Sequence, residues 1–68
     1  MAIVIKVNGQ ETEVTETDTI VDLMRKNSIP IKFCAVEVNG EVVPRAEHVT
    51  MKFKTGDAVE LVTLVGGG

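Results

Sequence analysis

Tryptophan and tyrosine are absent and phenylalanine occurs twice, so aromatic residues make up only 3% of the 68 positions. The core must therefore be aliphatic, and the aromatic platform on which single-stranded nucleic acids stack is missing. Positive charge is scarce as well. Seven Lys and Arg stand against ten Asp and Glu, for a net charge of −3. Nucleic-acid and anionic-membrane surfaces want the opposite sign, whereas a mild negative balance suits a protein partner with a basic docking face. A single cysteine excludes an internal disulfide and gives no sign of an oxidising compartment. Residues 1–8 lack the basic leader of a signal peptide and are too short to span a membrane. The expected compartment is the cytoplasm, with neither nucleic acid nor membrane as a partner and a monomer when free.

What is present is enough for one small globular domain. Hydrophobic residues make up 44% and charged residues 25%, which is too apolar for a disordered chain, although 68 residues is near the lower limit for folding without staples. Ile3, Ile5 and Val7 alternate with Val4, Lys6 and Asn8, the period of a strand with one buried face. Asn8-Gly9 then signals a hairpin, since a type I′ turn needs positive φ at both central residues. The return strand, from Gln10 to Thr15, places Thr12 and Val14 inward and Glu11 and Glu13 outward, as an edge strand that resists aggregation would. At Thr19 the period changes. Ile20, Leu23 and Met24 form a helical stripe, Thr19 and Asp22 have capping-box spacing, Asp18 favours the positive helix end and Arg25 and Lys26 the negative one. Pro30 is expected to ensure the stop.

Cys34, Val36 and Val38 share one face of a third strand, Asn39-Gly40 repeats the hairpin signal, and Glu41-Val42-Val43 is a short return broken by Pro44. Residues 45–50 read as irregular, with one helical turn at Ala46-Glu47-His48. Met51 and Phe53 alternate with Lys52 and Lys54 ahead of a turn at Thr55-Gly56-Asp57, and a last strand runs from Ala58 to Val65. One helix covering one face of a four- to five-stranded mixed sheet buries this pattern economically. The expected fold is an α+β roll of β-grasp, ubiquitin-like type over residues 1–65, with residues 66–68 as a flexible tail.

No catalytic constellation accompanies this fold. His48 has no nucleophile or second base near it in sequence and reads as an exposed loop residue. Cys34 falls on an inward position and reads as a small buried hydrophobe. No metal site and no cofactor of the chain's own is expected, and the chain reads as a non-enzyme.

The end of the chain is different. An apolar strand passes directly into Gly66-Gly67-Gly68, and glycine, which loses the most conformational freedom on folding, adds nothing to a core. It does supply a thin thread able to carry a terminal carboxylate through a narrow slot. In the strand before it, the exposed Glu60 assigns Val59, Leu61 and Thr63 to the core and places Val62 and Leu64 on the outward face beside the tail. Two apolar side chains in line on the surface form a candidate docking patch.

Asn39-Gly40-Glu41-Val42-Val43-Pro44-Arg45, Gly56-Asp57 with Val59 following, and the terminal Gly67-Gly68 resemble the sulfur carrier proteins of thiamine biosynthesis, the ThiS type. The helix start Thr19-Ile20-Val21-Asp22-Leu23-Met24 fits that family too. The resemblance covers essentially the whole chain. It departs in a third glycine, Gly66, and in the loop after Arg45, which lacks the large aromatic that some members carry. The resemblance implies that the Gly68 carboxylate is the reactive group, already mature because nothing follows it. An E1-like adenylyltransferase would activate it with ATP and magnesium, a sulfur donor such as a cysteine desulfurase would supply the sulfur of a thiocarboxylate, and thiazole synthase would receive it. Gly66 and Gly67 would thread the partner's slot, and Val62, Leu64 and Arg45 would dock. Sulfur donation to molybdopterin or to tRNA thiolation, and conjugation to lysine as a ubiquitin-like modifier, begin with the same adenylate and are the alternatives.

Overall fold

The computed structural model describes residues 1–29 and 34–63. Strands β1 (Ala2–Val7) and β2 (Gln10–Thr15) form the first hairpin, followed by helix α1 (Ile20–Lys26), strands β3 (Cys34–Val38) and β4 (Glu41–Val42), a single 3-10 turn at Arg45–Glu47, and strand β5 (Ala58–Thr63). The sheet order is β2-β1-β5-β3-β4. The two hairpins lie on either side of β5, which runs parallel to β1 and antiparallel to β3. One helix on one face of a five-stranded mixed sheet is the expected β-grasp roll.

Both asparagine–glycine pairs make the turns they signal. Asn8 and Gly9 have φ of 50° and 82°, and Asn39 and Gly40 have 53° and 85°, the left-handed pair that matches the twist of the flanking strands. Val14 is buried, Thr12 is half-buried and Glu11 and Glu13 are exposed, and β2 is an edge strand.

The helix has only seven residues, too few to persist alone, so its ends and buried face must hold it. At its start Thr19 accepts from the Asp22 N–H at 3.3 Å, and the Asp22 carboxylate accepts from the Thr19 N–H at 2.9 Å, completing the capping box. Ile20, Leu23 and Met24 are fully buried against Ile5, Val14, Val36, Val38, Phe53, Val59 and Leu61.

Three local details go beyond or against the sequence pattern. First, Pro30, expected to ensure the helix stop, lies outside the described residues, and the stop seen among them is made by Ser28 and Ile29. Ser28 adopts φ 56°, its N–H donates to the Arg25 carbonyl, and the Ile29 N–H donates to the Met24 carbonyl at 2.8 Å. This is a Schellman closure with serine where glycine is usual, and the half-buried Ile29 packs on the core beside it. Second, the Asp18 carboxylate makes its hydrogen bonds away from the first helical amides. It accepts from the Thr15 N–H at 3.0 Å and from Lys26 Nζ at 2.8 Å, tying the β2–α1 turn to the helix's last turn. The Lys26 bond and the Thr15 N–H hold its pKa below the usual carboxylate range.

Third, His48 is not an exposed loop residue. It is 3% exposed, and its ring Nε2 lies 3.1 Å from the Val43 carbonyl. A carbonyl only accepts, so Nε2 carries the proton. The helical turn falls at Arg45–Glu47, one residue earlier than its spacing suggests, and swings the ring inward. The His48 carbonyl also accepts the Val21 N–H at 3.1 Å. The segment after Pro44 is therefore pinned to both the sheet and the helix.

Candidate functional site

The alternation of β5 sets what the sheet offers to a partner. Val59 and Leu61 are buried while Glu60 is exposed and Val62 is 51% exposed, so the outward register expected from Glu60 holds through Val62. Across β3, Val62 lies opposite Ala35 and Glu60 opposite Glu37, and on β4 Val42 lies opposite Glu37. The open face of the sheet thus carries Val62 beside the exposed Ala35, then a pair of carboxylates, then the exposed Val42. Two like charges directly opposite each other weaken a sheet slightly, and neither ion pair of the described residues involves them. The other expected docking residue of this strand, Leu64, lies outside the described residues, as do the threading residues Gly66 and Gly67 and the reactive Gly68. The tail assigned to residues 66–68, and its flexibility, lie outside them too.

Arg45 opens the 3-10 turn and is exposed. It borders a recess of about 270 Å³ lined by Cys34, Val36, Val42, Val43 and His48 among others. Ala35 belongs to the same lining and pairs with Val62. Arg45 thus borders a recess that includes Ala35, and Val62 meets Ala35 from the β5 side, although the two lie 17 positions apart in sequence.

Cys34 and His48, the residues weighed as nucleophile and base, are both buried. Cys34 is buried, with Sγ 3.6 Å from the Ala35 carbonyl, and burial pushes its thiol pKa up, away from the reactive thiolate. The His48 ring is occupied by Val43, and its buried Nδ1 has no hydrogen-bond partner among the described residues. No group of three or more His, Cys, Asp and Glu that could hold a metal occurs among the described residues. No helix among them is long and apolar enough to cross a membrane.

Sequence reading missed how the asparagines of the two turns act at a distance. Asn8 Oδ1 accepts the Leu61 N–H at 2.8 Å and Nδ2 donates to the Leu61 carbonyl at 3.3 Å. Asn39 Oδ1 accepts the Ala58 N–H at 3.0 Å, and its Nδ2 donates to the Asp57 carboxylate at 3.0 Å. Both turns are thereby clasped to β5. Nothing in the local pattern announces contacts across 53 positions.

Comparison with known proteins agrees with this architecture. The crystal structure of a thiamine biosynthesis protein (ThiS) from Geobacter metallireducens superimposes with a TM-score of 0.81 at 32% identity, covering 97% of this chain and 100% of that one. An NMR solution structure of a thiamine biosynthesis protein from the same organism gives 0.73 at 30% identity, covering 97% and 88%. A thiazole synthase from Paramagnetospirillum magneticum is 31% identical over 62 residues, 91% of this chain but 19% of the relative. The chain therefore spans about a fifth of the length of that curated relative. Residues 3–68 match the ThiS family, and the chain belongs to that family.

Proposed function

We propose that this chain is a sulfur carrier for the thiazole ring of thiamine, with the Gly68 carboxylate as the group that carries the sulfur. The observation that carries the reading is the family match, which runs through the glycine run to residue 68. A carboxylate is a poor electrophile until it bears a good leaving group. An E1-like adenylyltransferase, binding ATP and magnesium itself, would join Gly68 to AMP and release pyrophosphate. Sulfide would then displace AMP and leave a thiocarboxylate directly. A persulfide from a donor such as a cysteine desulfurase would instead displace AMP to give an acyl disulfide, which a thiol would cleave to the thiocarboxylate with formation of a new disulfide. Enclosure of that acyl centre protects it from water, and side-chain-free residues at 66–68 allow the enclosure. The chain is the carried substrate of these steps and not their catalyst, which agrees with a buried, unreactive Cys34 and a His48 committed to packing.

Thiazole synthase as the receiving partner is supported by the relative that contains a segment similar to this chain within a thiazole synthase. A carrier and an enzyme that meet in every cycle gain effective concentration when joined in one polypeptide. Docking through Val62 and Arg45 is supported by the exposure of Val62 and of Arg45, and Leu64 joins them by the parity of the strand.

Two substitutions separate docking from chemistry in an assay of binding and ATP–pyrophosphate exchange with the adenylyltransferase. Val62→Asp should leave the fold intact, since the side chain already meets water, and should weaken the complex by burying an unpaired carboxylate. Gly68→Ala should bind as the parent does and exchange more slowly, because its methyl obstructs the slot around the reacting carboxyl. Normal binding by Val62→Asp would remove the docking assignment. Parent-like exchange by Gly68→Ala would remove the threading one.

A further inference from the structure

The strand that leads into the glycines is held unequally on its two sides. Toward β3 it is paired from Val59 through Thr63, but toward β1 only Ala58 and Val59 have strand partners, because β1 turns away at Asn8 and Gly9. Past that point the Asn8 side chain takes over. Its backbone N–H donates to the Val59 carbonyl at 2.8 Å, and its carboxamide then meets both the N–H and the carbonyl of Leu61. The carboxamide so supplies the donor and acceptor that a further residue of β1 would have offered. Leu61 stands directly before Val62 and two positions before the end of the described strand. Asn39 makes the mirror clasp at the opposite end of β5, on Ala58, where its own N–H also reaches the Ala58 carbonyl at 2.7 Å.

We propose that Asn8 is a positioning residue for activation of the C-terminal segment: by fixing Leu61 where β1 no longer pairs with β5, it holds the strand that carries that segment. This role rests on the function proposed above. Releasing Leu61 on the β1 side leaves β5 held past Val59 by β3 alone, which widens the range of positions open to the reacting carboxyl relative to the docked sheet. A wider range lowers the effective concentration of that carboxyl at the partner's site. Val62 stays paired with Ala35 on β3, so docking through its face is kept and the loss falls on turnover and not on binding.

Asn8→Gly isolates the clasp from the turn, because glycine takes the φ of 50° without strain while the carboxamide disappears. Asn39→Gly does the same at the Ala58 end and serves as the control for stability. For both variants and the parent, amide hydrogen exchange would be measured at Leu61 and Val62. Adenylate formation would be followed with the E1-like adenylyltransferase from the same source, ATP and magnesium. In Asn8→Gly the Leu61 amide should exchange faster and kcat should fall about fivefold or more, with KM for the carrier within about twofold of the parent, the pattern of lost positioning. Asn39→Gly should keep the parent's kcat and KM while losing comparable thermal stability. Parent-like kcat in Asn8→Gly, or an equal fall in both variants, would overturn the positioning role alone. A parent chain that is never adenylated would instead overturn the proposed function, and this role with it.

Discussion

Replacing His48 by alanine tests the largest departure from the sequence pattern. The ring is 3% exposed and donates Nε2–H to the Val43 carbonyl at 3.1 Å. Leaving that carbonyl without its donor costs about 1–3 kcal/mol. Withdrawing the ring carbons from the core adds about 1 kcal/mol. Removing Nδ1, buried and without a partner among the described residues, offsets about 1 kcal/mol of the same kind of penalty. The net loss is about 1–3 kcal/mol, against a total stability of roughly 3–10 kcal/mol for a chain of this size. At about 4–8 °C per kcal/mol for a small domain, the melting temperature should fall by about 4–24 °C. An exposed loop histidine would change stability by no more than about 0.5 kcal/mol. Thermal unfolding followed by circular dichroism distinguishes the two, and a shift under about 2 °C would refute the buried placement.

Two further substitutions bear on the helix. Leu23→Ala, at a site 1% exposed, should cost about 2–5 kcal/mol, and an unchanged denaturant midpoint would mean that the helix face is misassigned. Asp18→Asn should cost about 1–2 kcal/mol at neutral pH by removing the charge-assisted bond to the partly exposed Lys26. Because folding lowers the Asp18 pKa, its contribution is present above the unfolded-state pKa and is lost as pH falls through the folded value. The gap between parent and variant should therefore close in acid, and a gap that stays constant below the carboxylate range would exclude the linkage.

Much of the fold was legible because its signals are local. Period-two alternation, two Asn-Gly turns and a Thr19–Asp22 box each act within a few residues, and together they leave one economical packing. The outward face of Val62 was legible too, since a charged Glu60 fixes the parity of the strand. What escaped depends on neighbours distant in sequence. His48 is buried because the Arg45–Glu47 turn aims its ring at Val43, and an isolated histidine between Glu47 and Val49 carries no sign of that. Ser28 could close the helix only because the Ile29 and Ser28 amides found carbonyls one turn back, a use of positive φ that serine rarely signals. Asn8 and Asn39 were readable as turn formers but not as clasps, since their partners on β5 become neighbours only after the sheet assembles.

The central claim is that sulfur is carried on the carboxylate of Gly68, and the intact mass of the chain tests it directly. The chain would be incubated with the adenylyltransferase, ATP, magnesium and a sulfide source. Replacing one terminal oxygen by sulfur should add about 16 Da, and fragmentation should place the gain on Gly68, the activated carboxyl. A chain that keeps its mass, or that gains it at Cys34, would contradict the account. A chain joined through Gly68 to a lysine would make it a protein modifier instead.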